Sequence, residues 1–437
     1  MKNRRDFLRK TLGLGASLAA APHLLAQHET RSGMSMKHAV PGHEAQHPVI
    51  PVQTPDVPRL PWRMVDGAKE FHLIAEPVKR QLIPGRDMEV WGYNGSCPGP
   101  MIEVNQGDRV RVIFENHLPE SSTIHWHGLE IPVQMDGMPY ISQEPVPPGG
   151  QFVYEFTLHQ EGTFFYHSHG AMQEMMGMIG LFVIHPKMAY KPQIDHDFGI
   201  IMQEWAILPN SNVPNTSNME FNWLTFNGKA APDTTPLVIR QGSRVKIRLV
   251  NLGMDHHPIH LHGNTFVVTG TEAGRQPEAL WGPANTVLVG VAQARDIEFV
   301  ARNPGDWMLH CHLPHHMMNS MSDLMGDRMM TTMRLDEKAA LSQMQTYADR
   351  ISVQHVHHAP LAEDAEKVPG FPQDAFMEMA MDKAVARPEH YGLPPNWSAS
   401  FMGMMTLVRV LPDELYDKIV AMKTQPEAPA EHEHQHG

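Results

Sequence analysis

Short runs of β-branched and other apolar residues fill the chain between about residues 68 and 186, among them FHLIAEPVKRQLI, RVRVIFENHL, QFVYEFTLH and GLFVIHP. Gly- or Pro-containing turns separate these runs. Short β-branched and apolar runs bounded by such turns predict β-strands in an antiparallel sandwich or barrel. A second set of such runs follows a Pro-containing linker at roughly 187–196 and extends to about residue 335.

The two sets of predicted strands repeat each other. MIEVNQGDRVRVIFENHLPESSTIHWHGLEI in the first set parallels PLVIRQGSRVKIRLVNLGMDHHPIHLHGNTF in the second, and EGTFFYHSHG parallels PGDWMLHCHL. A repeated β unit of about 130 residues predicts duplicated sandwich domains. We therefore predict an all-β fold with one domain over residues 61–190 and a second over 191–336.

The last hundred residues, 337–437, have a different pattern. DAFMEMAMDKAVA and DELYDKIVAM predict helices, and the second places Leu415, Ile419 and Met422 on one face. The end of the chain, EHEHQHG, is typical of a disordered His-rich tail. This region is predicted to be a partly helical C-terminal extension.

The N-terminus predicts an exported protein. Residues 1–26 combine a basic start with a short apolar run that ends in small residues, which is the pattern of a cleaved signal peptide. Arg4 and Arg5 resemble the twin-arginine export signal, with cleavage near Ala26 and the periplasm as destination. Residues 27–60 are rich in His, Pro, Gly and Ser and predict a flexible leader. No other segment is apolar and long enough to predict a membrane span.

Charge and cysteine content narrow the class of protein. The net charge of −13 argues against nucleic acid or an anionic membrane surface as a partner. The two cysteines, Cys97 and Cys311, cannot form a disulfide scaffold. Cys97 is interpreted as a small buried residue. The 29 histidines and 32 methionines instead direct attention to metal binding.

Four His-x-His pairs fall at equivalent places in the repeated β unit. In a strand, residues i and i+2 point to the same side, so each pair presents two imidazoles together. If the pairs converge, they supply eight nitrogen ligands, enough for three metal ions with open positions for a small molecule. These histidines are His125, His127, His167, His169, His260, His262, His310 and His312.

By the same alternation of side chains along a strand, Cys311 is expected to point to the opposite face, because it lies between His310 and His312. His257 lies three residues before His260, so in a regular strand its side chain also points to the face opposite that of His260. With His316 and Met321 from the following loop, the set is two imidazoles, a thiolate and a weak thioether, the ligands of a blue-copper electron-transfer centre. Zinc would favour a closed tetrahedral set without an axial methionine.

The motifs HWHG, HSH, HPIHLHG and HCHLPHHMMNSM, in this order, resemble the four copper-binding motifs of the multicopper oxidases, a family with cupredoxin-like Greek-key β-sandwich domains. The resemblance covers about residues 70–335 and implies four copper ions per subunit. It assigns the type 1 copper to His257, Cys311, His316 and Met321, and the type 2 copper to His125 and His260. It assigns the type 3 pair to His127, His167 and His312 for one ion, and to His169, His262 and His310 for the other. Asp136 occupies the place of an acid that relays protons to the cluster.

Three departures from three-domain relatives shape the expectation. The interval between HSH and HPIH leaves no room for a middle domain, so the chain resembles two-domain oxidases, which implies a homotrimer with clusters between subunits. Ser168 stands where Cys311 stands in the repeat, so the blue copper is expected only in the second domain. Met317 follows the type 1 histidine where some relatives carry an acid, which puts proton delivery from that position in doubt.

The expected activity is one-electron oxidation of a substrate at the type 1 copper, coupled to four-electron reduction of O2 to water at the trinuclear cluster. The substrate is left open between phenols, as for laccases, and a metal ion, Cu(I) or Mn(II). The metal alternative rests on the exported location and on thioethers, which bind Cu(I), at Met317, Met318, Met325, Met329, Met330 and Met333.

The same residues leave two alternative classes of copper protein to compare with an oxidase. A two-domain copper nitrite reductase needs its blue copper in the first domain and has no type 3 pair, so Ser168 and the eight histidines argue against it. A copper-storage protein would show neither oxygen consumption nor intense blue colour.

Overall fold

The structure is a computed structural model that describes residues 50–170, 172–207, 211–219, 221–317, 319 and 381–424. The predicted signal peptide, the predicted leader up to residue 49, and the His-rich tail lie outside these residues. Met321 and the other predicted methionines beyond Met317 lie outside them as well. Within the described residues, no helix is long and apolar enough to cross a membrane.

The first half of the described chain is built from nine strands. They are β1 (Trp62–Val65), β2 (Ala68–Ile83), β3 (Arg86–Tyr93), β4 (Gly99–Asn105), β5 (Arg109–Asn116), β6 (Ile124–His127), β7 (Gln151–Thr157), β8 (Gly162–Ser168) and β9 (Ile179–His185). One sheet has the order β1-β2-β5-β7 with β3 paired to β2, and the other has the order β4-β9-β8-β6. Their inner faces enclose a core around Trp126, Phe114 and Phe182.

The second half contains twelve strands. They are β10 (His196–Trp205), β11 (Trp223–Phe226), β12 (Leu237–Arg240), β13 (Arg244–Asn251), β14 (His257–Leu261), β15 (Phe266–Thr271), β16 (Gly274–Arg275), β17 (Pro283–Ala284), β18 (Thr286–Val289), β19 (Gln293–Val300), β20 (Gly305–Cys311) and β21 (Met405–Leu411). One sheet has the order β11-β10-β13-β19-β15-β16 with β17 on β15. The facing sheet has the order β12-β21-β20-β14-β18.

Strand β21 comes from the C-terminal region, yet it lies in the middle of the second sandwich. It pairs parallel with β12 and antiparallel with β20, and all seven of its residues are buried. From the sequence, these residues were expected to belong to a C-terminal extension outside the two sandwich domains. In the structure they complete the sheet that carries Cys311.

Helix α1 (Asp413–Thr424) follows directly on β21. It confirms the helix predicted from DELYDKIVAM, and its apolar side packs Ile419 and Leu415 against Val238 and Leu411. Only a few residues of the other predicted helix, DAFMEMAMDKAVA, lie within the described residues, and Asp382–Val385 form turns. The all-β prediction is confirmed, with α1 as the one α-helix among the described residues.

A buried charged network joins the two halves. Arg248 on β13 makes a bidentate ion pair with Asp197 on β10, with both N···O distances 2.8 Å. It also donates to the hydroxyl of Thr163 on β8 in the first half (2.7 Å), which in turn donates to Asp296 (2.6 Å). Lys246 completes the network through Asp296 at 2.8 Å. Because each buried charge has a partner of opposite sign, the contact fixes β8 against the second half.

Candidate metal centres

Cys311, His257 and His316 meet inside the second sandwich. His257 begins β14, and the register pairs Ile259 of that strand with Cys311 at the end of β20, so both strands turn these side chains to the core face. His316 comes from the 3-10 turn Pro314–Met317 that follows β20. The Cys311 sulfur lies 3.3 Å from His316 Nδ1 and 3.7 Å from His257 Nδ1, and the two nitrogens are 3.2 Å apart.

All three residues of this group are fully buried. Burial raises the pKa of the Cys311 thiol to about 12, and the carboxylates of Glu204 and Asp255 act in the same direction. Burial, together with His257, lowers the pKa of His316 to about 3. Neutral imidazoles are the form that binds metals, whereas the thiol must lose its proton.

The donor set fits a copper ion. Metal–nitrogen bonds of about 2 Å and metal–sulfur bonds of about 2.3 Å allow one ion to reach all three atoms at these separations. A thiolate with two imidazoles in a water-excluded site is the donor set of blue-copper centres. Met321, the predicted thioether ligand, lies outside the described residues.

Glu204 is a buried residue of this centre that the sequence analysis missed. Its carboxylate lies on β10, 3.2 Å from His257 Nε2, and accepts hydrogen bonds from the backbone N–H groups of Met254 and Asp255. Glu204 accepts a hydrogen bond from the Nε2–H group of His257, which leaves Nδ1 of that ring directed at the Cys311 sulfur. A carboxylate within the apolar run FGIIMQEW was the signal that could have identified it.

The opposite face of β20 and β14 carries a cluster of four imidazoles. His260 pairs with His310 across the two strands, and the Nε2 atoms of His262 and His310 are 3.1 Å apart. The ring of His312 lies 5.3 Å from that of His310 and 5.5 Å from that of His260, measured between centroids. The strand therefore presents Cys311 to one side and its two neighbouring histidines to the other.

The first half carries the matching cluster on β6 and β8. His125 pairs with His167 across the strands, and Nδ1 of His127 lies 3.4 Å from Nε2 of His167. His169, just beyond β8, has its ring centroid 5.5 Å from that of His125. His125, His127 and His167 bring one ring nitrogen each within 4.8 Å of one another.

Backbone carbonyls orient four of these eight rings. The Nδ1–H groups donate to carbonyls, from His125 to Asp136 at 2.8 Å, from His167 to Ser168 at 2.9 Å, from His310 to Cys311 at 2.8 Å and from His260 to Asn285 at 2.7 Å. Each bond selects the tautomer that leaves Nε2 free to bind a metal. The side chain of Asp136 also lies 3.4 Å from His125 Nδ1.

Burial keeps several of these rings neutral. It lowers the pKa of His127 and His310 to about 4 and that of His167 to about 3, and neighbouring histidines add to the effect. The pKa of His262 is lowered for the same reasons. At neutral pH these side chains are ready to bind metal without first releasing a proton.

The two clusters are not joined within one chain. Among the described residues, no group of three metal-binding side chains with ligand atoms within 4.8 Å combines the two halves. No ring contact in those residues connects the first cluster to the second either. Among the described residues each half therefore carries its own histidine cluster, with His169 and His312 exposed.

At the position equivalent to Cys311, the first half has a hydrogen-bonded polar group. The Ser168 hydroxyl donates to Gln173 Oε1 at 2.6 Å and lies 3.2 Å from the hydroxyl of Ser122. Ser122 stands three residues before His125, as His257 stands before His260, and Gln173 stands five after Ser168, as His316 stands after Cys311. Because these three residues satisfy each other and lack a thiolate, they do not form a second blue-copper centre.

The cupredoxin-like sandwiches and these donor sets define the class as a copper oxidoreductase. Residues 76–189 and 207–325, just over half of the chain, match two sequence models, both described as multicopper oxidase. The chain therefore belongs to the multicopper oxidase family, as its four motifs predicted.

Individual relatives agree with this assignment. Copper resistance protein A from Pseudomonas syringae pv. tomato is 32% identical over 151 residues, which cover 35% of this chain and 25% of the relative. Laccase-1 from Cryptococcus neoformans var. neoformans serotype D is 42% identical over 133 residues, covering 30% and 20%. The crystal structure of a blue copper oxidase from Nitrosomonas europaea aligns with a TM-score of 0.54 and 30% identity over 57% of this chain and 81% of that one. The matched segments thus span a quarter or less of the two curated relatives' length.

Proposed function

We propose that this protein is a two-domain multicopper oxidase that takes single electrons from a donor and reduces O2 to water. The observation that carries the proposal is the alternation on β20, where Cys311 faces one centre while His310 and His312 face the other. Copper would supply one-electron transfer at the thiolate centre and four-electron reduction of O2 at a three-ion cluster. The two centres are linked through adjacent residues of one strand, so electrons need no diffusing carrier between them.

The protein's own contribution to the thiolate centre is to hold its ligands in fixed positions away from water. Cys311, His257 and His316 come from three separate elements, and all are buried. Glu204 fixes the orientation of His257 from behind. A rigid and dry ligand set reduces the rearrangement that each change of charge would otherwise require.

The close pairs in the two clusters support the assignment of the type 3 ions. His127 and His167 face each other in the first half, and His262 and His310 do so in the second. Each pair would hold one ion and take its third imidazole, His312 or His169 respectively, from the other half. His125 and His260 would together hold the type 2 ion.

Because every one of these three ions takes ligands from both halves, the cluster requires a second copy of the chain. The first half of one subunit would meet the second half of the next, a head-to-tail contact that closes as a homotrimer. Exposed apolar residues between β6 and β7 in the first half, and between β16 and β19 in the second, support this contact. They are Val133, Tyr140 and Ile141 in the first half, and Leu280, Leu288 and Val291 in the second.

Asp136 is proposed to relay protons to the cluster. Its carboxylate is partly exposed and lies 3.4 Å from Nδ1 of His125, while its backbone carbonyl holds the same nitrogen. It is therefore placed between solvent and a proposed type 2 ligand, where reduction of O2 consumes protons. The site of action is proposed to be the periplasm, reached by the twin-arginine route.

The decisive experiment is the visible spectrum of the purified protein together with its copper content. We expect intense blue absorption, about four copper ions per chain, and O2 consumption with a phenolic or metal-ion donor. The Cys311→Ser variant should lose the blue colour and substrate oxidation together. A Cys311→Ser protein that stays blue would overturn the assignment of the centre.

A second experiment tests the interface. Tyr140→Ser with Ile141→Ser should yield a smaller species in light scattering that keeps the blue absorption, because the thiolate centre lies within one chain, but loses O2 reduction. Val153→Ser is the matched control, since Val153 is also an exposed apolar residue of the first half but lies on β7. If the double variant stays trimeric and active, the proposed contact is wrong.

A further inference from the structure

The turn that carries His316 is too short to hold its own position. It is a single 3-10 turn, Pro314–Met317, which a backbone bond from His316 N–H to Leu313 O stabilises at 2.9 Å. The hydrogen bonds of 3-10 turns have poorer geometry than those of α-helices. His316 is nevertheless buried with Nδ1 3.3 Å from the Cys311 sulfur. Contacts from outside the turn must therefore fix this ring.

Met404, just before β21, connects the two segments that carry metal-binding side chains. Its carbonyl accepts a hydrogen bond from the N–H group of Cys311 at 3.0 Å, and its N–H group donates to the carbonyl of His316 at 2.9 Å. Met404 is fully buried and belongs to the same core cluster as Cys311. The two backbone groups of one residue thus hold the thiol residue and an imidazole residue together.

Asn319 attaches the end of the turn to the same place. Its Oδ1 accepts a hydrogen bond from the N–H group of Gly403 at 2.7 Å, and its Nδ2 donates to the carbonyl of Ala231 at 2.7 Å. The N–H group of Ala231 donates to the carbonyl of Gly403 at 2.9 Å, which closes a ring of three hydrogen bonds. Because one backbone partner can only donate and the other can only accept, the amide of Asn319 is held in one orientation.

We propose that Asn319 is a positioning residue of the thiolate centre, which acts by clamping the turn of His316 to the backbone of Gly403 and Met404. This inference rests on the proposed function, because it concerns how the electron-transfer site of that oxidase keeps its geometry. The clamp fixes His316 relative to Cys311, and a site held by its own supporting contacts needs less rearrangement when its charge changes. A residue that only closed the sheet would affect stability and leave the ligand geometry unchanged.

The first test is Asn319→Ala in the copper-loaded protein, which removes both side-chain hydrogen bonds. The affinity of the thiolate centre for copper, measured by loss of the blue band to a competing chelator, should fall about 10- to 100-fold. The band itself should shift or weaken, because the ligands around the thiolate are displaced. Asn319→Asp keeps the acceptor for the Gly403 N–H group, so it should restore part of the affinity.

Asn116→Ala is the matched control for this test. The buried amide of Asn116 also donates to two backbone carbonyls, those of Glu120 at 2.9 Å and Val146 at 2.8 Å, but it lies in the first half of the chain. Its loss should lower the melting temperature and leave both the blue band and the copper affinity of the thiolate centre unchanged.

A second variant reaches the clamp from its other side. Gly403 has a φ of +71°, in the left-handed region that favours glycine. Gly403→Ala should strain this backbone and disturb Met404, so it should change the blue band and lower the copper affinity as Asn319→Ala does. Gly242→Ala is the control, because Gly242 has a φ of +87° in the turn between β12 and β13, with open space around its Cβ position. It should change neither quantity.

Amide hydrogen exchange tests the clamp in the copper-free protein. The N–H groups of Cys311, Gly403 and Met404 should exchange faster in Asn319→Ala than in the wild type, because the ring of hydrogen bonds is opened. In Asn116→Ala these three groups should exchange at the wild-type rate. Equal rates in Asn319→Ala and the wild type would overturn the clamp.

These outcomes separate the inference from the function on which it rests. If Asn319→Ala and Gly403→Ala lose thermal stability but keep the wild-type band and copper affinity, the clamp is wrong and the oxidase stands. If Asn319→Ala does not fold, Asn319→Asp and Gly403→Ala decide by the same two measurements. If the copper-loaded wild type is not blue and consumes no O2 with any donor, the proposed function fails, and hydrogen exchange alone then decides on the clamp.

Discussion

Replacing Arg248 with methionine should destabilise the protein more than any single surface change. The guanidinium is fully buried, makes two 2.8 Å contacts with Asp197, and reaches Thr163 in the other half of the chain. Methionine has a similar length but no charge. The substitution would leave the buried Asp197 carboxylate without its cation and remove the hydrogen bond that joins β13 to β8.

The magnitude follows from these contacts. Leaving one member of a buried ion pair uncompensated costs about 3–5 kcal/mol. The loss of the hydrogen bond from Arg248 to Thr163 is included in this free-energy cost and not added to it, because the residues of one network are coupled. At about 2–4 °C per kcal/mol for a domain of 150–250 residues, the melting temperature should fall by roughly 10 °C.

Thermal unfolding at one fixed scan rate, with and without copper, measures the effect. Arg63→Met is the control, because Arg63 pairs with Glu70 but its side chain is 69% exposed, so its loss should cost less than about 1 kcal/mol. Arg248→Met combined with Asp197→Leu should recover much of the loss, since it removes both charges. An Arg248→Met protein that melts within 2 °C of the wild type would refute the reasoning.

Three further predictions concern protons. Between pH 7 and 9, the copper affinity of the thiolate centre, measured by competition with a chelator, should rise about tenfold per pH unit. The reason is that Cys311 (pKa about 12) must release a proton to bind copper, whereas His316 (pKa about 3) need not. An affinity that does not change with pH would contradict this prediction. The copper-free protein should become less stable to urea as the pH falls from about 6.5 to 4, because histidines that burial keeps neutral in the fold are protonated in the unfolded chain. Each such histidine lowers the free energy of unfolding by up to about 1.4 kcal/mol per pH unit. Equal stability at pH 7 and 4.5 would rule this out. Asp136→Asn should lower kcat at least tenfold, because the amide cannot relay protons. The copper content should not change, because the backbone carbonyl of residue 136 still holds His125. An unchanged kcat would exclude the relay.

The sequence predicts the chemistry of the site better than its surroundings. The period of two in a strand was enough to separate Cys311 from His310 and His312, because that rule depends only on local backbone geometry. The repeat then indicated equivalent strands for the other histidines. The first inference uses residues a few positions apart, and the second needs only two segments of similar sequence.

Features that depend on distant segments were not predictable in this way. Glu204 reaches His257 across 53 positions, and no local pattern connects them. The segment Met405–Leu411 contains the β-branched residues typical of a strand, but its position between β12 and β20 depends on pairing with distant parts of the chain. Asp255 and His315 lie near each other beside His316, yet they are 60 positions apart in the chain and no local pattern connects them.

The position of β21 also constrains when the thiolate centre can form during synthesis. Thr406 pairs with Leu309, 97 positions earlier in the chain, and Val408 pairs with Leu237, 171 positions earlier. Until residues 405–411 have left the ribosome, the strand that carries Cys311 has an open edge, and β12 has no partner in its sheet. Pairing over such separations is slow compared with local folding. The copper-binding sandwich is therefore a late product of the nascent chain, and a route that exports proteins after folding, as the twin-arginine pattern predicts, would allow time for it to close.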